Sequence, residues 1–221
     1  SILTSNGEMP ADLVLIAIGT RPNTTLAKEA NLEIGKTGAI AVDEYMRTSD
    51  PDIYSGGDCV ENNNLITGQP IYAPLGSTAN KHGRVIGDHI CSKETTFKGV
   101  LGTAICRVFD INISRSGLSE KEARQAGFDI ITVLSPSPDK PHFLSEAKPI
   151  IIKLVVDKKT RKLIGSQIVG PGDVAKRIEI AITSMNFSST VDDISNLDLA
   201  YAPPFSPAMD NIITAANIAK N

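Results

Sequence analysis

The chain has 221 residues, 22 Lys and Arg against 25 Asp and Glu, a formal net charge of −3, 41% hydrophobic residues and no tryptophan. Charges this balanced leave no basic footprint for a phosphate backbone, so nucleic acid is not an expected partner. No apolar run approaches the roughly 20 residues that cross a bilayer, and Ser1-Ile2-Leu3-Thr4-Ser5 lacks a signal peptide's basic and apolar regions, so a cytoplasmic protein without membrane contact is expected.

Leu13-Val14-Leu15-Ile16-Ala17-Ile18 is a continuous apolar stretch, the pattern of a parallel strand buried on both faces. Gly19-Thr20-Arg21-Pro22-Asn23 ends it, because glycine permits close backbone approach and proline halts the strand. A short helix over Asn23–Asn31 and a second strand over Ala39–Val42 are expected next. The segment Thr48-Ser49-Asp50-Pro51-Asp52-Ile53-Tyr54-Ser55-Gly56-Gly57-Asp58-Cys59 reads as a turn into a very short strand that ends on two glycines and a carboxylate. Asp58 then lies just past a strand's carboxyl end, where open α/β sheets bind ligands, although an Asp after Gly also reads as a plain turn cap.

Ala79, Val85, Ile86 and Ile90 have helical spacing over Ser77–Cys91, with Gly83 and Gly87 lowering helix propensity while allowing close approach of another group. His82 and His89 are two turns apart, too far for one metal ion without other ligands, and read as surface histidines. No metal site is expected. Cys59, Cys91 and Cys106 are too widely spaced for a Cys-x-x-Cys pair or a zinc cluster and are expected as packed thiols.

From about residue 96 the pattern changes. Thr103–Phe109, Ile111–Ser114, Asp129–Leu134, Ile150–Val156 and Lys162–Val169 read as strands. Ser119 with Glu122 forms a capping box opening a helix that Gly127 stops. Asp173 opens a helix with Val174, Ile178, Ala181, Ile182 and Met185 on one face. A last helix is expected over residues 206 to 220, with Met209, Ile212, Ile213 and Ala216 as its stripe. Lys158-Lys159-Thr160-Arg161-Lys162 reads as a solvated hairpin tip. The expected fold class is therefore α+β: an antiparallel sheet with flanking helices over residues 96 to 221, preceded by a partial α/β segment over residues 1 to 95, which the resemblance given below implies to be nucleotide-binding. That first segment has too few strands for its apolar content, so the chain reads as the C-terminal portion of a longer protein.

The ordered series Ile18-Gly19-Thr20-Arg21-Pro22-Asn23, then Thr48 to Cys59, then Pro74-Leu75-Gly76-Ser77-Thr78-Ala79-Asn80-Lys81-His82-Gly83-Arg84, resembles the flavoprotein pyridine nucleotide-disulfide oxidoreductases over essentially the whole chain. The resemblance implies that the first piece closes an NAD(P)H domain, that the second and third return to an FAD domain, and that residues 96 to 221 form a dimerisation domain making a homodimer. It implies FAD-binding roles for Gly57, Asp58, Leu75, Thr78 and Ala79, and a place for Gly19 and Thr20 along the path of the nicotinamide. A carboxylate after two glycines suits this, since the flavin's ribityl hydroxyls need an acceptor on closely approaching backbone. Helix packing alone for Thr78 and Ala79, and generic turn punctuation for Gly19 and Thr20, remain alternatives. The family's redox cysteine and its Gly-x-Gly-x-x-Gly loop belong to an amino-terminal half, so Cys59 is not that thiol.

Leu197-Asp198-Leu199-Ala200-Tyr201-Ala202-Pro203-Pro204-Phe205-Ser206-Pro207-Ala208-Met209-Asp210 resembles the Tyr-Ala-Pro-Pro segment of coenzyme A-disulfide reductases, NADH oxidases and peroxidases, and persulfide reductases. These use one active-site cysteine. Tyr201 is thereby implied as a catalytic phenol acting beside the partner subunit's flavin and cysteine, on coenzyme A disulfide or a related thiol substrate, with an interface or core tyrosine as its alternative. Phe205 reads as a packing residue nearby, and Asn211 stands where a proline is expected. The implied reaction moves electrons from NAD(P)H through FAD to a disulfide, persulfide, oxygen or peroxide, with the chain by itself inactive; the alternative is a non-catalytic dimerisation module with relic flavin motifs.

Overall fold

The computed structural model describes residues 1–220. The first 95 residues hold little regular structure. A hairpin pairs β1 (Ile2–Thr4) with β2 (Gly7–Met9), a single turn of helix forms α1 (Thr25–Glu29), and β3 (Asn62–Asn63) pairs with β4 (Pro70–Ile71). The long helix α2 (Gly76–Ile90) follows.

Leu13–Ile18 is not a buried strand: it pairs with nothing among the described residues, and Leu13, Leu15, Ile16 and Ile18 are 75–91% exposed. A parallel strand exists only through neighbours on both sides, and none is adjacent here. Ala39–Val42 likewise falls short of a strand. Ile40 makes one parallel bridge to Val60, through Ile40 N–H to the Cys59 carbonyl and Glu61 N–H to the Ile40 carbonyl, both 2.9 Å. The short strand expected near Tyr54 is one antiparallel bridge to Arg47. A small core of Ala27, Ile40, Met46, Val60 and Val85, with Ile86 and Phe97 against it, holds these pieces on α2.

The second half is built on five antiparallel strands: β5 (Ala104–Val108), β6 (Ile111–Gly117), β7 (Ile130–Pro138), β8 (Pro149–Asp157) and β9 (Leu163–Gly170), in the order β5-β6-β9-β8-β7. Every strand expected from the sequence is present. The helices are α3 (Glu120–Gln125), α4 (Val174–Asn186), α5 (Val191–Ser195) and α6 (Asn211–Lys220). The Ser119–Glu122 capping box forms as expected. Asp173 caps α4, whose Val174, Ile178, Ala181 and Met185 are buried.

Strand periodicity puts Ile150, Ile152, Leu154 and Val156 on one face of β8, each fully buried in the core shared with α4 and α6, where each such side chain is worth about 1.5–3 kcal/mol. The opposite face is covered by α3 at one end, where Val155, Leu118, Ala123 and Ile164 pack. At the other end the cross-strand row Cys106, Ile113, Val169, Ile151 stays open. That row explains why Cys106 is exposed rather than packed; Cys91, at the end of α2, is exposed too, and only Cys59 is half-buried.

Two further elements differ from the sequence expectation. The five-residue α5 goes unforeseen, although Thr190 and Asp193 make a full capping box there. The last helix begins at Asn211 rather than 206, because Phe205 and Ser206 both donate their N–H to the Ala202 carbonyl in a tight turn. Met209 therefore lies before the helix and is 55% exposed.

Candidate functional site

The turn Gly56–Val60 lies against α2. Gly57 has φ +87°, a conformation glycine adopts without strain, and a side chain there would stand 3.9 Å from the Ala79 methyl. Asp58 follows at the crest of the turn, exposed and free of ion pairs among the described residues. It lines an open cleft of about 340 Å³ with Thr20, Arg21, Pro22 and Asn23 on one wall and Cys59, Tyr72 and Pro74 on the other. Residues 20 and 58, far apart in sequence, are thus brought together. Gly19 adjoins this wall at φ +81° with open space around it.

Leu75 and Thr78 line a second, smaller cleft of about 100 Å³, shared with Leu65, Leu101, Ile182 and the Gly99–Thr103 segment. Leu75 is the N-cap of α2 and offers no side-chain cap, so the amides of Gly76, Ser77 and Thr78 have no partner within the helix. The Ala79 amide is not among them, since it donates to the Leu75 carbonyl at 2.9 Å. The positive end of this helix is therefore carried by residues 76 to 78. The Thr78 side chain is buried.

Tyr201 lies apart from both clefts, on the connection from α5 to α6, and is 53% exposed. Pro203 and Pro204 and the Ala202–Ser206 turn stiffen its backbone. The connection is tied down at its far end. The buried Ser206 hydroxyl donates to Asp210 Oδ2 at 2.9 Å, and the buried Arg177 guanidinium stands 3.4 Å from the same oxygen. Phe205, expected to pack, is 69% exposed. Asn211 is buried and donates to Ser137 Oγ at 2.5 Å and the Pro138 carbonyl at 2.8 Å, fastening the start of α6 to β7.

His82 too lies elsewhere than the sequence suggests. It is fully buried beneath the Gly56–Val60 turn, not at the surface, with Phe97 packed edge-on at 4.5 Å. Burial holds its imidazole below the ordinary histidine pKa. The signal was present in the spacing: Thr78, His82 and Val85 fall at i, i+4 and i+7, the buried stripe of α2. His89 is also partly buried, its Nδ1 2.7 Å from the Tyr54 hydroxyl.

A glycine turn and cleft set against one helix, together with a five-stranded antiparallel sheet, define a mixed α/β protein. Residues 1–81 match the family model described as pyridine nucleotide-disulphide oxidoreductase, and residues 103–213 match its dimerisation domain. The chain belongs to the pyridine nucleotide-disulphide oxidoreductase family. It is 42% identical over 219 residues to an NAD(P)H sulfur oxidoreductase (CoA-dependent) of Pyrococcus furiosus, covering 99% of this chain and 49% of that protein. Among solved structures it resembles an NAD-dependent persulfide reductase from A. fulgidus, with TM-score 0.95 and 52% identity over 99% of this chain and 41% of that one. It also resembles an FAD-dependent pyridine nucleotide-disulphide oxidoreductase from Desulfovibrio vulgaris, with TM-score 0.81 and 39% identity over 98% and 50%. The chain spans about half the length of the curated relatives it matches.

Proposed function

We propose that the chain is the C-terminal part of a cytoplasmic, homodimeric, FAD-dependent oxidoreductase that moves electrons from NAD(P)H through FAD to a single cysteine bearing a disulfide, a persulfide or an oxygen-derived acceptor. Coenzyme A disulfide or persulfide is the favoured substrate class. The observation that carries this reading is the unpaired Asp58 carboxylate, presented by a glycine turn into the cleft shared with Thr20 in a chain of this family. Bound FAD would supply the two-electron relay. In this reading Asp58 accepts hydrogen bonds from the ribityl hydroxyls, and Gly57 keeps the backbone close enough for it to do so. The start of α2, with Leu75, Thr78 and Ala79 beside the cofactor, directs the unpaired amides of residues 76 to 78 toward negative charge on it. Gly19 and Thr20 line the path of the nicotinamide, and the Tyr201 phenol donates a proton to the leaving thiolate without adding charge to the site.

Residues 1 to 95 act as a partial FAD/NAD(P)-binding segment and residues 96 to 221 as the dimerisation domain. The buried cores support this division: one gathers Ala27 to Val85, the other Leu101 to Ala219, with Ile66 packed against the second and Phe97 against the first. The full-length polypeptide tests the function. It should purify yellow and oxidise NADH or NADPH with a coenzyme A disulfide or persulfide acceptor. Asp58→Ala should weaken FAD binding by about tenfold or more, and Tyr201→Phe should slow the acceptor half-reaction while leaving flavin reduction unchanged. A colourless dimer without NAD(P)H turnover would instead support a non-catalytic dimerisation module.

A further inference from the structure

We propose that His82 is a positioning residue of the flavin site: together with Asn62 it closes a ring of hydrogen bonds around the Gly57–Val60 turn and so fixes the direction of Asp58. The inference rests on the FAD-binding role proposed above for Asp58.

The ring can be followed atom by atom. The Gly57 N–H donates to His82 Nδ1 at 3.1 Å, and His82 Nε2 lies 3.0 Å from Asn62 Oδ1. Asn62 Nδ2 donates to the Val60 carbonyl at 3.4 Å, and the Val60 N–H returns to the Gly57 carbonyl at 3.5 Å. One tautomer satisfies it. The Gly57 amide is a donor, so Nδ1 must accept and Nε2 must carry the proton that Asn62 Oδ1 receives. Asn62, 5% exposed, is itself held in register by the pairing of β3 with β4, opposite Ile71. Gly56 packs directly on the His82 Cβ and the end of Ile86, so α2 supports the turn from below as well. Both ends of the turn that presents Asp58 are therefore anchored to groups that do not touch the cleft.

The ring is incompatible with imidazolium. A second proton on Nδ1 would face the Gly57 N–H, donor against donor, and break the circuit at the residue before Asp58. The groups packed on the imidazole are Gly56 and Gly57 of the turn, Asn62 of β3 and Phe97; none is charged, and burial alone accounts for the depressed proton affinity.

The test is FAD affinity, followed by flavin fluorescence in the full-length protein, for the native protein, His82→Gln and His82→Leu across pH 8 to 5. The native protein should hold FAD at neutral pH and, because burial depresses the proton affinity of His82, release it only below the ordinary histidine value of about 6.5, as the pH falls through the range in which the buried imidazole takes up its proton. His82→Gln, which keeps one donor and one acceptor, should retain binding within about threefold and lose the pH dependence, whereas His82→Leu should bind about tenfold more weakly at every pH. If the leucine variant does not fold, the native and glutamine pH profiles decide alone. FAD binding in the native protein that is flat with pH, or equal in the leucine variant, overturns the role of His82 and leaves the flavin reading standing. A native protein that binds no FAD at any pH overturns both.

Discussion

The two halves of the chain use apolar sequence differently. In the second half each strand expected from the sequence finds antiparallel neighbours, and alternate residues of β8 are sealed under α4 and α6. In the first half the most apolar stretch of all, Leu13–Ile18, has no strand neighbour among the described residues and stands exposed. Antiparallel strands can be joined through tight turns between successive segments, whereas a parallel strand needs partners delivered by crossover connections. The halves also differ in how they bury polarity. The second seals a charge, Arg177, against another charge, Asp210; the first seals a neutral imidazole, His82, against an amide.

That contrast gives the largest expected effect. Arg177→Met would leave the buried Asp210 carboxylate with the Lys176 ammonium at 3.6 Å, the Ser206 hydroxyl and the Ile212 N–H, and would strip a donor from the carbonyls of Asp139 and Asp173. Breaking one side of such a pair costs about 3–5 kcal/mol. Urea unfolding should show that loss in the transition of residues 96 to 220, with the first half's transition unmoved. A loss below about 1 kcal/mol, the usual worth of an exposed pair, would mean that the pair is not sealed.

Lowering the pH should separate the halves by a smaller margin. His82 has its folded pKa depressed, so the unfolded chain takes up a proton first, and stability present above about 6.5 is lost as the pH falls toward the folded value. In the second half burial alone would raise Asp139, but the amides of Lys148 and Asp173 and the Lys140 ammonium outweigh it and hold the carboxyl below its usual range. Its stabilising contribution persists until the pH drops below about 3.9 and through the folded value. Amide correlation spectra recorded from pH 7 to 3 should therefore lose signals from residues 1 to 95 before those of the sheet. Simultaneous loss would show that the two cores unfold as one.

Much of this organisation is legible from local pattern. The five strands announce themselves because each carries its own periodicity, and the caps at Ser119 and Asp173 because they are short-range chemistry. The association of Thr20 with Asp58 is not readable from composition, spacing or the motif series, because it joins segments far apart in the chain. His82 was misjudged for a related reason. A single histidine flanked by Lys81, Gly83 and Arg84 looks solvated, and only the i, i+4, i+7 stripe with Thr78 and Val85 shows which way it faces. The strand expected at Leu13–Ile18 failed because periodicity reports a preference for burial without supplying the surface that satisfies it.

The smallest effect concerns another open face of the first half, on α2. Gly76, Gly83 and Gly87 lie at i, i+7 and i+11 on the exposed side of α2, and a methyl group at any of them meets nothing within 4 Å. In this 221-residue chain Gly83→Ala and Gly87→Ala should each stabilise by about 0.5–1 kcal/mol, because alanine costs less backbone entropy in a helix. In the full-length polypeptide the sign should reverse if another element packs closely on this face, since the added methyl would then meet it. Equal stabilisation in both would show that the face is open in the whole protein, and that the small residues reflect no close packing partner.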